Sequence, residues 1–133
     1  MTSLEQARKI VQVMDSKKAK DIRLIKIEGI SSLGDYFVVA SASNTTQVKA
    51  IADEVEDEMT KLGLEPNRVE GRQSAQWILM DYYDVMVHVF LDEARSFYNL
   101  ERLWSDAPQL DISDLLTQNE IDDGQQKEWR KSS

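Results

Sequence analysis

The sequence predicts a mixed α/β domain: a five-stranded mixed sheet with two helices packed on one face and short C-terminal helices at an edge or end. Three observations predict it. Two stretches space their apolar residues three and four apart, five short segments read as extended and most of them are rich in β-branched and aromatic residues, and Gly, Pro, Asn or Asp punctuate the joints. A chain of 133 residues can build one core without staples, since this size removes roughly two-thirds of the unfolded surface from water.

Residues 3–17 place Leu4, Ala7, Ile10, Val11 and Met14 on one helical stripe, opened by Thr2 or Ser3 with Glu5 or Gln6 positioned for a capping box. Residues 22–27 and 36–41 read as strands around a turn-rich segment containing Gly29 and Gly34. Ser43 or Asn44 caps a second helix whose stripe is Val48, Ile51, Ala52, Val55, Met59 and Leu62, closed by Gly63 with Pro66 beyond. Three extended segments follow at 68–70, 76–81 and 84–91, the last two forming a hairpin. From Leu91-Asp92-Glu93 a helical stretch carries Phe97, Leu100, Leu103 and Trp104 until Pro108 stops it. That order of elements suits helices segregated to one face of a mixed sheet. Residues 1–112 form the expected domain, and 113–133 an acidic tail that loses apolar periodicity and is expected to be disordered, with Trp129 a lone aromatic in it.

The hairpin carries the functional expectation. If Asp81 faces Asp84 across a tight turn, Leu79 faces Met86 and Trp77 faces His88. One side then collects Ile78, Met80, Val85, Val87, Val89 and Leu91, expected beneath the helices. The other presents Trp77, Leu79, Met86, His88 and Phe90, residue types that fill interface cores because they bury much area with few torsions to fix. Two readings stay open: a partner covers this side, or the C-terminal helices do so through Phe97, Tyr98 and Trp104.

Charge narrows the partner. Lys+Arg 16 against Asp+Glu 24 gives a net −8, divided as −5 in residues 1–110 and −3 beyond. Phosphate binding needs clustered cations, and only Lys17, Lys18 and Lys20 cluster, so nonspecific nucleic-acid binding is disfavoured. The run Asp53, Glu54, Glu56, Asp57 and Glu58 fits a solvated helix face. With no cysteine and one histidine, disulfides, thiolate metal sites and multi-imidazole sites are excluded. No apolar run is long enough to span a membrane, and the N-terminal stretch is amphipathic with both charge signs, unlike a signal peptide; a cytoplasmic protein is expected.

Catalytic signatures are missing: no Gly-x-Ser-x-Gly, no phosphate loop, no Gly-x-Gly-x-x-Gly. His88 lies between Val87 and Val89 with no nucleophile placed beside it, which fits a packing histidine better than a base. Asp81 and Asp84 bracket a turn, where Asp is common without a metal; with Asp35 they could instead hold magnesium for a nucleotide-using transferase.

Five blocks carry a resemblance. They are residues 35–41 (DYFVVAS), 69–71 (VEG), 77–81 (WILMD), 85–90 (VMVHVF) and 95–104 (RSFYNLERLW). In that order, over about residues 3–110, they resemble the ribosomal silencing factor family, also called Iojap-related. The resemblance implies a domain related to the nucleotidyltransferase fold that acts without catalysis and without a cofactor. It also implies binding to the large ribosomal subunit through its protein fourteen, which blocks joining of the small subunit when nutrients are scarce. An acidic domain would be repelled by ribosomal RNA and held by a basic ribosomal protein, so little direct RNA contact is expected. The Gly-Ser pair and Asp-x-Asp motif of nucleotidyltransferases are absent, Tyr83 stands where the family usually has Gly, and Gln47 stands near a position often held by His or Arg. The expected binding surface is Trp77, Leu79, Asp81, Met86 and His88, extended by Arg95, Tyr98, Leu100 and Glu101. Beside it stand two other readings, the magnesium-dependent transferase and an adaptor that forms a homodimer through the same face.

Overall fold

In the computed structural model, which describes residues 1–98 and 107–117, the first helix α1 (Ser3–Ser16) opens as its sequence requires. The Thr2 hydroxyl accepts from the Glu5 N–H at 3.0 Å, and the Glu5 carboxylate accepts from the Thr2 N–H at 2.8 Å, closing the capping box. Asn44 caps the second helix, α2 (Thr45–Lys61), by accepting from the Gln47 N–H at 2.8 Å. Both helices end in one motif. In α2, Leu64 N–H donates to Met59 O and Gly63 N–H to Thr60 O; in α1, Ala19 N–H donates to Met14 O and Lys18 N–H to Asp15 O. Lys18 therefore takes a left-handed φ of 61°, where a glycine is usual.

The strands are β1 (Lys20–Lys26), β2 (Tyr36–Ala42), β3 (Arg68–Glu70), β4 (Trp77–Asp81) and β5 (Val85–Leu91), in the order β1-β2-β5-β4-β3. β2 and β5 run parallel at the centre and the other neighbours antiparallel, as a mixed sheet demands. α1 and α2 cover one face: Ile10, Val11, Met14, Val48, Ile51, Val55 and Met59 pack on Leu24, Val38, Ala40, Ile78, Met80, Val87 and Val89. The stripes read from the sequence are thus the buried sides of both helices except at their outer ends, where Leu4 and Leu62 are exposed. A third helix, α3 (Asp92–Tyr98), follows β5 directly.

The hairpin register differs from expectation. Asp81 pairs with Met86, Leu79 with His88 and Trp77 with Phe90, so the turn residues are Tyr83-Asp84 and not Tyr82-Tyr83. Tyr82 is drawn into the helix-side core, and its N–H donates to Val85 O at 2.9 Å. Tyr83 takes the left-handed φ of 69° that a tight turn needs, its N–H held by Asp81 Oδ1 at 2.8 Å. A slip of two partners leaves side-chain parity intact, so both predicted faces survive.

After residue 106 the chain returns along the outer edge of β1. Lys26 N–H donates to Pro108 O and Leu110 N–H to Leu24 O, which shields that edge from further pairing. A 3-10 turn (Ser113–Leu115) then lies against α1, where Arg8 pairs with Asp114 and the Thr117 N–H donates to Asp15 Oδ2 at 3.0 Å. Residues 113–117, placed with the tail by sequence, are therefore seated on the domain. Residues 118–133, with Trp129, and residues 99–106, with Leu100, Glu101, Leu103 and Trp104, lie outside the described residues.

Gly71, between β3 and β4, has φ 90°, and a Cβ there would lie 2.1 Å from Trp77 O. Gly71→Ala is expected to lower the unfolding free energy in urea by about 3 kcal/mol through combined strain and clash. Gly29→Ala, with φ 80° but nothing within 4 Å, should lose only about 1–2 kcal/mol.

Candidate protein-binding face

The sheet face away from α1 and α2 is built in rows across the strands. Pairing places Val39, His88, Leu79 and Glu70 in one row, Phe37, Met86, Asp81 and Arg68 in the next, and Ser41, Phe90 and Trp77 in a third. Exposure rises along each row from the centre outward. Phe37, Val39, Met86, His88 and Phe90 are buried, Trp77, Leu79 and Asp81 are half-buried, and Arg68 and Glu70 are exposed. Ala94 and Ala107 join the buried cluster on this side, and Trp77 and Leu79 pack against it. What the face offers to solvent is a β4 strip of Trp77, Leu79 and Asp81 bordered by β3.

His88 is the keystone beneath the strip. Its Nδ1 accepts from Trp77 Nε1–H at 3.1 Å, and its ring meets Phe37 edge-on with centroids 4.6 Å apart. Trp77 in turn stacks on Phe90 at 5.1 Å. Accepting at Nδ1 requires a neutral imidazole with its proton on Nε2, which has no hydrogen-bond partner among the described residues. Burial disfavours the imidazolium and pushes the pKa down to about 3. A neutral His88 thus fixes the indole of Trp77 in plane and serves as packing, the role expected for a histidine flanked by valines.

The sequence-predicted residues divide into three groups. Trp77, Leu79 and Asp81 form the accessible strip. Met86 and His88 lie under it, at 7% and 4% exposure, and support it from below without offering surface. Arg95 is also buried: it donates to Ser41 Oγ at 3.2 Å and lies 3.5 Å from Asp21, tying α3 to the first two strands. Tyr98 ends α3 with its side chain outside the described part, and Leu100 and Glu101 fall outside the described residues. Phe37 and Val39, the neighbours of Met86 and His88 on β2, complete the buried layer under the strip. Their alternation with Tyr36 and Val38 was visible, but the parallel pairing that brings them beside β5 was not.

Of the three carboxylates considered for magnesium, Asp81 and Asp35 are engaged by other groups. Asp81 accepts from Tyr83 N–H and lies 3.5 Å from Arg68 Nε, while Asp35 accepts from Ser3 Oγ at 2.8 Å. Asp84 is exposed at the hairpin tip. Among the described residues no three of His, Asp or Glu are grouped so as to hold a metal ion. No helix among them is long and apolar enough to cross a membrane.

Fold and face together define an acidic mixed-sheet domain with a half-exposed aromatic strip on one side and its helices on the other. Residues 1–133 match the family described as "Ribosomal silencing factor during starvation". The ribosomal silencing factor of Bacillus subtilis is 45% identical over 98 residues, covering 74% of this chain and 83% of that one. A crystal structure of a Chromobacterium violaceum protein superposes with a TM-score of 0.77 at 32% identity, covering 79% of this chain and 88% of that one. A more distant relative, the mouse "Mitochondrial assembly of ribosomal large subunit protein 1", is 26% identical over 99 residues, 72% of this chain and 43% of its own. The chain belongs to the ribosomal silencing factor family.

The depressed pKa of His88 has a consequence for stability. Folded His88 binds its proton less readily than the unfolded residue, whose pKa is 6.5. Its contribution is therefore complete above about pH 6.5 and is lost as pH falls toward the folded value. Urea unfolding at pH 7 and pH 5 should show wild type losing about 2 kcal/mol more than His88→Phe over that interval. Equal losses would show that His88 is not held neutral.

Proposed function

We propose that this protein represses translation in the cytoplasm by binding the large ribosomal subunit through its basic protein fourteen and occupying the surface where the small subunit joins. The observation that carries the reading is the β4 strip, Trp77, Leu79 and Asp81 beside Glu70, on a chain of net charge −8. Half-exposed Trp and Leu supply desolvation energy on contact, and the flanking acids favour a basic protein over RNA phosphates. The family description supports silencing of ribosomes during starvation, and the mouse relative's name points to the large subunit. Action is steric and needs no chemical step: an interface of about 1,600 Å² in total suffices to hold the domain in the way.

The reading is tested by sedimenting the purified chain with isolated large subunits at moderate salt, then adding small subunits. Co-migration and a dose-dependent loss of joined particles are expected. Trp77→Ala and Leu79→Ala should each weaken binding by about 2 kcal/mol, roughly 30-fold, as truncated central anchors do. A wild-type chain that stays at the top of the gradient contradicts the proposal. So does micromolar binding of a nucleoside triphosphate with magnesium in calorimetry, which would favour the transferase reading.

A further inference from the structure

The end of the sheet at which β2 and β5 begin carries an apolar surface that folding does not explain. Ile30, Leu33 and Tyr83 are 52%, 54% and 64% exposed there. Three backbone and side-chain links bring their loops together. Asp35 N–H donates to Asp84 O at 2.7 Å, joining the β1–β2 loop to the hairpin tip, and Ile27 N–H donates to Asp35 O, closing that loop. Ser3 Oγ donates to Asp35 Oδ2, bringing the start of α1, with exposed Met1 and Leu4, to the same end. Gly34 makes the closest approach: at φ 148°, a Cβ there would lie 2.9 Å from Asp84 O, so a side chain would push the two loops apart. Of the six exposed large hydrophobic side chains among the described residues, only Leu62 belongs to another part of the fold.

Tyr83 is the most informative of them. It accepts a left-handed φ of 69° that a glycine or asparagine would adopt with less strain, and its exposure shows that it gains little burial in return. Its side chain therefore costs the fold something and is not repaid within the described residues. Around the patch stand Glu5, Glu28 and Asp84, exposed, with Asp35 and Asp81 half-buried. Of the nearby cations, Lys26 lies 3.9 Å from Glu28, and Arg68 lies 3.5 Å from Asp81. An apolar surface in such a frame repels nucleic-acid phosphates and anionic lipid and attracts a cationic chain.

We propose that Ile30, Leu33 and Tyr83 form a second contact on the large subunit, taken by a basic segment of a ribosomal protein that inserts an apolar side chain between them. This rests on the reading that the β4 strip docks on that subunit, and the tip is tied to the strip: Asp81, at the end of the strip, holds the backbone N–H of Tyr83. The tip adds affinity and fixes the rotation of the domain about the strip.

The test measures affinity of the full chain for purified large subunits at moderate salt for wild type, Tyr83→Gly, Leu33→Ser and Trp77→Ala, with melting temperatures alongside. Tyr83→Gly is expected to bind at least 10-fold more weakly while melting at the same temperature or higher, and Leu33→Ser to weaken binding with an unchanged melting temperature. Tip variants that bind like wild type while Trp77→Ala loses affinity overturn the second contact and leave the strip intact. A wild-type chain that does not bind at all overturns the proposed function itself. Equal tip-dependent binding to protein-free ribosomal RNA overturns the choice of a protein segment. A tip-dependent dimer, with particle affinity unchanged, assigns the patch to self-association and also overturns it.

Discussion

Two adjacent strands buried on both faces govern this structure. β2 and β5 lie parallel in register from Tyr36 opposite Val85 to Ala42 opposite Leu91, and nearly every side chain on them is removed from water. A parallel pair cannot be closed by a tight turn, so the chain between them must cross over, and α2, β3 and β4 are that crossover. A pair apolar on both sides also needs two covers. α1 and α2 supply one with aliphatic stripes. On the other side the rings of Phe37, His88, Phe90 and Trp77 pack into a cluster that thins toward β3.

That thinning is what makes a surface. The same rows that bury His88 at the centre leave Leu79 and Trp77 half in solvent and bring Glu70 and Arg68 to the rim. The strip is stiff because its indole is anchored by a hydrogen bond to a neutral imidazole and by stacking on a buried phenyl ring. Rigid aromatic area held in place before contact loses little entropy on binding. A net charge of −8 disfavours contact with RNA phosphates and favours a cationic protein surface.

Much of this was legible in the sequence, for local reasons. The caps at Thr2 and Asn44 and the apolar stripes of both helices are short-range patterns, and they lie where the spacing placed them apart from exposed Leu4 and Leu62 at the stripe ends. The alternation along β4 and β5 assigned the two faces correctly because parity survives a register slip. The slip itself was not legible: whether Tyr82 or Asp84 sits in the turn depends on the helix-side core that buries Tyr82, a tertiary matter. Burial of Met86 and His88 was hidden for a related cause, since their β2 neighbours Phe37 and Val39 arrive through a long crossover. Arg95 looked like a surface cation, and only the approach of Ser41 and the β1 backbone turns it into an internal tie.

The central claim is that the β4 side of the sheet, not its helical side, meets a basic protein of the large subunit. A cryo-electron microscopy map of the full chain on isolated large subunits tests it directly. The expected map has Trp77 and Leu79 within about 4 Å of a ribosomal protein, Glu70 and Asp81 facing its lysines or arginines, and α1 and α2 turned to solvent. Density that seats α1 and α2 on the particle, or that holds the domain chiefly by RNA phosphates, would contradict it.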